Sequence, residues 1–279
     1  MFMFLLEPFS FAFIQRAMIT GCLVGIACAV LGVFLVLRRL SLIGDGLAHI
    51  TFGSVALALF GGLYGISMVL VSLPIVVLAS LGILKLSQTA RLGGDAAIGI
   101  VSSVGVASGV ILSVVGTGYG ADLFSYLFGS ILAISTGELY VAVVLCLAVL
   151  LIVWRYYHDL VALTFNEEIA AASGVSITFL NVLLAILTAF TVVLAMRLVG
   201  IMLISSLLIL PAAAALQVAR SFTMTVILAM GAAVTAVVGG ILVSYYLNLP
   251  SGATIIMVAF SLFILALGCR RLCRNTIVA

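Results

Sequence analysis

Charged residues are scarce in this chain of 279 residues, where they make up 7% of the sequence, and Lys85 is its single lysine. A soluble domain carries roughly 25% charged residues. Here 66% of the residues are hydrophobic and the mean hydropathy is +1.51. These values exclude a soluble globular domain and indicate a membrane protein with several spans. The net charge of +3 is small and the basic residues lie at the ends of apolar segments, so a nucleic-acid partner is not implied.

Several motifs that carry enzymatic chemistry are also absent. The sequence has no GxxxxGK[ST] phosphate-binding loop, no HExxH zinc motif and no GxSxG nucleophile motif. Its five cysteines form no CxxC pair, and we interpret them as small apolar residues (Cys22, Cys28, Cys146, Cys269 and Cys273). The chain is therefore expected not to be an enzyme and to hold no resident cofactor. If it transports a solute, ATP is expected to be hydrolysed on a separate subunit.

Long apolar segments, in contrast, fill most of the chain. Residues 1–13 are too short to span a membrane and are predicted to lie along the bilayer surface. Residues 116–135, broken by glycines and Asp122, are predicted to form a re-entrant connection. Nine segments are predicted to cross the membrane as helices, at 15–37, 42–64, 66–86, 96–115, 138–156, 177–196, 198–219, 223–247 and 251–267. The predicted fold is all-α, one polytopic membrane domain over residues 1–279 with eight or nine transmembrane helices.

The basic residues predict the orientation of these helices. If the segments alternate in direction, only Arg16 and Arg197 fall on one side. The other nine fall together: Arg38, Arg39, Lys85, Arg91, Arg155, Arg220, Arg270, Arg271 and Arg274. Because loops rich in lysine and arginine stay in the cytoplasm, the nine-residue side and the C-terminus are predicted to be cytoplasmic. The N-terminus is then outside with nine spans and inside with eight.

An acid and an imidazole stand out within the apolar stretch 38–59, RRLSLIGDGLAHITFGSVALAL. Asp45 and His49 are four residues apart, so on a helix they share one face, about 5–6 Å apart at their Cβ atoms. A carboxylate oxygen and a neutral imidazole nitrogen suit zinc, manganese or ferrous iron. A carboxylate in a membrane span usually faces a cavity or a bundle interior. The alternative is that Asp45 caps the helix and His49 packs as an ordinary polar residue.

Two further features interrupt the apolar pattern. In the longest polar loop, residues 158–176, Asn166 is predicted to cap a short helix from Glu167 to Ser173 that Gly174 ends. In the seventh segment, Pro211 is predicted to bend the helix, and the preceding serines, Ser205 and Ser206, are placed to bond the freed backbone groups. Bent helices often line transport sites, but a purely structural kink is an equal alternative for Pro211.

Four stretches, in order along nearly the whole chain, resemble the membrane subunits of ATP-binding-cassette importers for zinc, manganese and iron. They are VLRRLSLIGDGLAHITFGSVAL (36–57), DLFSYLFGSILAIS (122–135), EEIAAASGV (167–175) and AMRLVGIMLISSLLILPAAAALQVAR (195–220). Within that family the zinc-importing permeases are the most similar, because GDGLAH and LVGIMLISSLLILPAA match their segments. Manganese importers share the same frame.

The resemblance implies a permease of type II-like architecture in a bacterial or archaeal cell membrane. It implies a homodimer or a pair of related permeases, working with two cytoplasmic ATPases, an extracytoplasmic metal-binding protein and membrane lipid. It places Asp45 and His49 on the metal pathway. It assigns ATPase docking to the segment containing Glu167, Glu168, Ala171 and Gly174, for which an ordinary solvated surface helix is the alternative.

The predicted function is therefore to move a divalent metal ion into the cytoplasm, zinc first and otherwise manganese or ferrous iron. Two ligands fall short of the four that zinc prefers, so a second subunit, a water or another span must supply the rest. Three other functions stay open. A permease for a chelated metal such as a siderophore would not need Asp45 or His49. A stand-alone secondary carrier would transport without an ATPase, and a membrane scaffold would show no metal dependence.

Overall fold

The structure is a computed structural model that describes residues 10–89, 94–116, 135–196, 200–201 and 204–278. This part of the chain forms eleven α-helices and no strands, as the all-α prediction requires. The helices are α1 (Ala12–Leu37), α2 (Ile43–Phe60), α3 (Ile66–Thr89), α4 (Gly94–Val115), α5 (Thr136–Arg155), α6 (Tyr157–Phe165), α7 (Glu167–Ala172), α8 (Ile177–Ala195), α9 (Ile204–Val218), α10 (Phe222–Leu247) and α11 (Ser251–Val278).

Eight helices in the described part are long and apolar enough to cross a membrane, and α9 is a shorter apolar helix of fifteen residues. These nine correspond one by one to the nine predicted segments. Pro211 lies inside α9 and is buried, while the bend expected there stays a prediction. The re-entrant connection predicted at 116–135, with Asp122, lies outside the described residues except for its two ends, as do residues 1–9 of the surface segment.

Several boundaries differ from the predicted ones: α1 begins at Ala12 rather than at residue 15, α9 begins at Ile204 rather than at 198, and α11 ends at Val278 rather than at 267. Two further differences have a local reason. α2 ends at Phe60 rather than at residue 64, because Gly62 adopts a φ of 71° and the Leu63 N–H bonds back to the Ala58 carbonyl at 2.9 Å. α5 begins at Thr136, before the predicted Glu138. Ser135 is its N-cap: the Glu138 N–H donates to the Ser135 side chain, and the Ser135 N–H donates to the Glu138 carboxylate at 2.9 Å. This capping box is readable in the sequence as SxxE.

One helix was not predicted. The loop 158–176 was expected to contain a single short helix, but α6 also forms within it. Leu160 and Leu163 lie one turn apart and are both buried, 1% exposed each, so α6 has one face against the bundle. The polar residues on its other face made this stretch resemble a loop.

Contacts between residues far apart in sequence show which helix ends lie at the same end of the bundle, and they agree with helices that alternate in direction. At one end, which we name the basic end, three pairs meet: Arg38 with Glu167, Tyr157 with Thr223, and Gln217 with Arg270. At the opposite end, the ring of Phe11 lies 6.2 Å from that of Tyr245, and Ile66 packs against Gly137. Both ends therefore gather residues predicted to lie on the same side of the membrane.

Glycines allow the central helices to approach each other closely. A Cβ added at Gly21 would lie 2.7 Å from Val237 and one at Gly25 would lie 3.2 Å from it, so α1 packs closely on α10 through two glycines at GxxxG spacing. α1 also crosses α9, where a Cβ on Gly32 would be 1.9 Å from the carbonyl oxygen of Leu208. These crossings make α1 a central helix of the described bundle.

Candidate functional site

Asp45 and His49 lie beside each other on one face of α2, as their spacing predicted. His49 Nε2 is 3.6 Å from Asp45 Oδ2. The side chain of Asp45 is 50% exposed and that of His49 is 25% exposed, although α2 has the largest buried share among the eight candidate spans. The described part of this chain therefore leaves a polar pair partly uncovered on an otherwise apolar and buried helix.

The alternative role of Asp45 as a helix cap is wrong. Leu42 occupies the N-cap position of α2 and makes no side-chain capping bond, while Asp45 is the third residue of the helix. Its negative charge is still favourable in the first turn, near the positive end of the helix dipole. Asp45 thus lies towards the basic end of the bundle. Its carboxylate is not the N-cap of α2.

Ser205 of α9 is a neighbour of Asp45 that sequence reasoning did not place there. Ser205 Oγ is 3.5 Å from Asp45 Oδ1, which is long for a hydrogen bond between oxygens. The approach depends on Gly44, because a Cβ there would lie 2.7 Å from Leu208 and 3.6 Å from the Ser205 Cα atom. The serine was expected to serve the backbone near Pro211, and the structure instead places its hydroxyl next to the carboxylate.

On its other side, α2 rests on α4 through a series of glycines. A Cβ on Gly46 would be 2.6 Å from Ile98, and one on Gly53 would be 2.7 Å from the carbonyl oxygen of Gly105. A Cβ on Gly105 would in turn lie 2.8 Å from the carbonyl oxygen of His49. The backbone that carries His49 is therefore in direct contact with the backbone of α4.

We expect Gly105→Ala to displace α2 and to lower the stability of the protein. The new methyl group would meet the His49 carbonyl oxygen and the Ile50 Cα atom at 2.8 Å, and backbone atoms cannot rotate away as a side chain can. Overpacking of this kind costs about 1–3 kcal/mol. The measurement is the midpoint of thermal aggregation of the detergent-purified protein. Gly99→Ala is the matched control in the same helix, since a Cβ there meets nothing within 4 Å; equal midpoints for the two variants would contradict the packing.

The distance between His49 Nε2 and Asp45 Oδ2 is compatible with both atoms binding one metal ion. Zinc–nitrogen and zinc–oxygen bonds are about 2.0–2.2 Å long, so two ligands at a tetrahedral angle lie about 3.3–3.6 Å apart. The observed separation is 3.6 Å. Among the described residues, no group of three or more His, Cys, Asp and Glu side chains could hold a metal ion. Asp45 and His49 would by themselves supply two ligands, and the rest would have to come from water or from another chain.

A second candidate surface is formed by α6 and α7 at the basic end. The short predicted helix is confirmed: the Asn166 Oδ1 atom accepts the N–H groups of Glu168 and Ile169 at 2.9 and 3.0 Å, and Gly174 follows the helix with a φ of 83°. All four residues predicted to dock an ATPase are exposed, namely Glu167, Glu168, Ala171 and Gly174.

Apolar side chains are exposed next to these four residues. Phe165 is 69% exposed and Ile169 is 64% exposed, whereas Ala170 on the opposite face of α7 is buried. Neither α6 nor α7 is a candidate membrane span. Apolar groups gathered on a polar surface are typical of a protein contact.

Glu167 also has a partner within this chain. Arg38 Nη2 donates to Glu167 Oε1 at 2.5 Å, and the Arg38 side chain is only 9% exposed while that of Glu167 is 53% exposed. The sequence contained no signal for this pair, because the two residues are 129 positions apart. The contact joins the end of α1 to the start of α7.

Comparison with known proteins relates the chain to membrane transport proteins. A family model described as the ABC 3 transport family matches residues 10–270. A manganese transport system membrane protein, MntC, of Halalkalibacterium halodurans is 35% identical over 258 residues, covering 92% of this chain and 87% of that protein. A protein of Haemophilus influenzae described as a probable iron transport system membrane protein is 32% identical over 268 residues, covering 96% of this chain and 97% of its own.

Among solved structures, PsaBC from Streptococcus pneumoniae in complex with Fab contains a chain of the same fold. It matches with a TM-score of 0.85 and 33% sequence identity, covering 95% of both chains. The helical arrangement described above is therefore shared along nearly the whole length of the two chains.

Proposed function

The chain belongs to the ABC 3 transport family, and from this premise we propose that it is the membrane permease of an importer that moves a divalent metal ion into the cytoplasm. The observation that carries the proposal is the Asp45–His49 pair, whose ligand atoms are 3.6 Å apart on a partly open face of a buried helix. The chain is the permease subunit and not the ATPase, consistent with a sequence that has no phosphate-binding loop.

Manganese is the first candidate cargo and ferrous iron the second. The names of the two relatives above specify manganese and iron. The preference for zinc that GDGLAH and LVGIMLISSLLILPAA suggested has no counterpart in those names. The chemistry of the site agrees with either ion, because carboxylate oxygen suits manganese and imidazole nitrogen suits iron. Zinc stays in the comparison as a competitor.

A second permease copy is proposed to cover the open face of α2. A carboxylate facing lipid would be costly, and the Asp45 side chain is 50% exposed in the single chain. Leu42, just before α2, and Leu57 and Phe60, in its last turn, are large apolar side chains that are also exposed. In a two-fold dimer the same patch meets itself, so a second copy would contribute its own Asp45 and His49. Two carboxylates and two imidazoles would then surround the ion.

The remaining partners are proposed to bind at the two ends of the bundle. The basic end is proposed to face the cytoplasm, where residues 158–176 dock one of two ATPases through the exposed surface that carries Glu167, Glu168, Ala171 and Gly174. An extracytoplasmic metal-binding protein would deliver the ion at the opposite end. Residues 1–279 would form a single permease domain, with residues 1–13 at the bilayer surface.

The test is metal uptake into cells that lack their own manganese importers. The full chain is expressed with the ATPase and the binding protein that co-purify with it from its native membranes, and uptake of radioactive manganese is measured with zinc or ferrous iron as competitor. We expect the complete importer to take up manganese. This uptake should be lost when the phosphate-binding lysine of the ATPase is replaced, because ATP hydrolysis supplies the energy.

Two other results would contradict the proposal. Manganese entry into liposomes that hold the purified chain alone, driven by an ion gradient, would identify a secondary carrier. Uptake of a ferric siderophore without uptake of the free ions would identify a permease for chelated metal. The first result makes the ATPase unnecessary, and the second leaves the Asp45–His49 pair without a role.

A further inference from the structure

We propose that the Arg38–Glu167 ion pair links the docking helix α7 to the turn that leads into Asp45, and so sets how much metal moves for each ATP hydrolysed. The inference rests on the proposed function, since it requires α7 to bind an ATPase. It goes beyond that function by dividing the roles of two adjacent acids. Glu167 acts within the permease as a positioning residue, and Glu168 faces the ATPase.

The first step is the burial of Arg38. Its side chain is 9% exposed, and Glu167 is its ion-pair partner in the described part of the chain. A buried guanidinium is unfavourable unless a counter-charge accompanies it. The guanidinium is also planar, so its hydrogen bonds are directional. The positions of Arg38 and Glu167 are therefore interdependent, and a displacement of α7 is resisted by the end of α1.

The second step is the rigidity of the turn that holds Arg38. Arg38 is the C-cap of α1, and Arg39 adopts a φ of 59°, in the left-handed region. The Arg39 N–H bonds to the Val36 carbonyl at 3.1 Å, and the Leu40 N–H bonds to the Leu35 carbonyl at 2.8 Å. These two bonds define a Schellman motif, which closes the helix end tightly.

The same turn continues directly into the helix that carries Asp45. The Ile43 N–H bonds to the Leu40 carbonyl at 3.1 Å, and the Gly46 N–H bonds to the Leu42 carbonyl at 3.1 Å. Backbone hydrogen bonds therefore hold both the end of α1 and the start of α2, and Leu40 takes part in both sets. A movement of the Arg38 side chain is passed on as a movement of this whole segment.

The docking region is also attached to the bundle by apolar contacts. The ring of Phe222 on α10 lies 5.9 Å from the rings of Tyr157 and Phe165 on α6, and 5.3 Å from that of Phe34 on α1. These apolar contacts hold α6 against the bundle but have no strict direction. The ion pair is the charged contact that joins α7 itself to the α1–α2 turn.

Glu168, in contrast, is free to contact a partner. It is exposed on the same turn of α7, and it has no ion-pair partner within the described residues. Its backbone N–H is already bonded to Asn166, so its position on the helix is fixed while its carboxylate points to solvent. Glu167 is thus bonded to Arg38 while the neighbouring Glu168 faces solvent. Substitutions of these two acids are therefore expected to affect different steps of transport.

The experiment measures three quantities on the assembled importer: co-purification of the ATPase, ATP hydrolysis, and metal uptake per ATP. Four proteins are measured: wild type, Arg38→Gln, Glu167→Gln, and an exchanged variant that carries both Arg38→Glu and Glu167→Arg. We expect each single variant to retain the ATPase and to lower uptake per ATP by roughly 2- to 30-fold, the range of coupling changes seen for such positions. The exchanged variant should recover most of the loss.

Arg39→Asn is the matched control for Arg38→Gln. It removes one positive charge from the same turn, at an exposed position, and asparagine accepts the left-handed backbone; its uptake per ATP should equal that of wild type. Glu168→Lys should instead weaken retention of the ATPase. The melting midpoint of each variant confirms that it is folded.

Three outcomes would overturn the inference. Normal uptake per ATP in both single variants would show that the pair is inert. Loss of ATPase retention in Glu167→Gln alone would make Glu167 a docking contact rather than a link. Failure of the exchanged variant to recover, with its fold intact, would exclude the pairing as the cause. If wild type itself shows no ATP-dependent uptake, the proposed function fails, which is a different result from any of these.

Discussion

Asp45→Ala and His49→Ala are each expected to abolish most metal uptake while leaving the permease folded and bound to its ATPase. Both side chains are partly exposed, and Asp45 makes no capping bond, so the fold does not depend on them. Losing an interaction with a charged partner costs about 1.5–3 kcal/mol. Uptake at a limiting metal concentration should therefore fall by roughly ten- to a hundredfold. The measurement is initial uptake of radioactive manganese at matched expression.

The chain offers a matched control for each substitution. Asp95 stands in the first turn of α4 and is exposed, and His158 is the other histidine, exposed on α6. Asp95→Ala should keep uptake at the wild-type level. His158 lies in the loop proposed to dock the ATPase, so His158→Ala is compared at equal ATPase retention, where its uptake should also equal that of wild type. Full uptake by the Asp45 and His49 variants would contradict the ligand assignment. A more specific test of the ligand assignment uses Asp45→Cys, which replaces a hard oxygen with a thiolate. Zinc should then compete more strongly with manganese for uptake than it does in wild type.

Gly32→Ala is expected to prevent the protein from reaching a stable fold. A Cβ at this position would lie 1.9 Å from the carbonyl oxygen of Leu208 and 3.0 Å from its carbonyl carbon. Both are backbone atoms, so relief requires α1 and α9 to separate, and Leu208 also packs against Gly44 at the start of α2. The cost should exceed about 3 kcal/mol, a large part of a typical total stability of 5–15 kcal/mol.

The measurement is the yield of monodisperse protein after extraction from membranes, together with its melting midpoint. Gly231→Ala is the matched control, because a Cβ at that position in α10 meets nothing within 4 Å. We expect the control to match wild type and Gly32→Ala to yield little or no folded protein. A Gly32→Ala protein with the wild-type midpoint would mean that α1 and α9 do not cross as closely as described.

Most features that depend on neighbouring residues were predicted correctly, although the turn at Gly62 and the capping box at Ser135, which are equally local, were missed. A run of about twenty apolar residues is a membrane helix whatever surrounds it, because its backbone must satisfy its own hydrogen bonds in lipid. The helix α7 was predicted from Asn166 and Gly174, which act on N–H and carbonyl groups within one turn. The side-by-side arrangement of Asp45 and His49 follows from helical spacing in the same way. The error at α6 arose because its buried face consists of only Leu160 and Leu163 within a polar stretch.

The sequence by itself therefore determined the helical class of this protein, its apolar segments, the α7 cap and the Asp45–His49 pair, since each depends on residues within one or two turns. Only the tertiary structure decided that Ser205 lies beside Asp45, that Arg38 pairs with Glu167, and that Gly32 contacts the Leu208 backbone. The physical reason is that local spacing does not specify which helices pack together. That choice depends on how small residues let particular backbones approach, and on which buried charges find a partner in the assembled bundle.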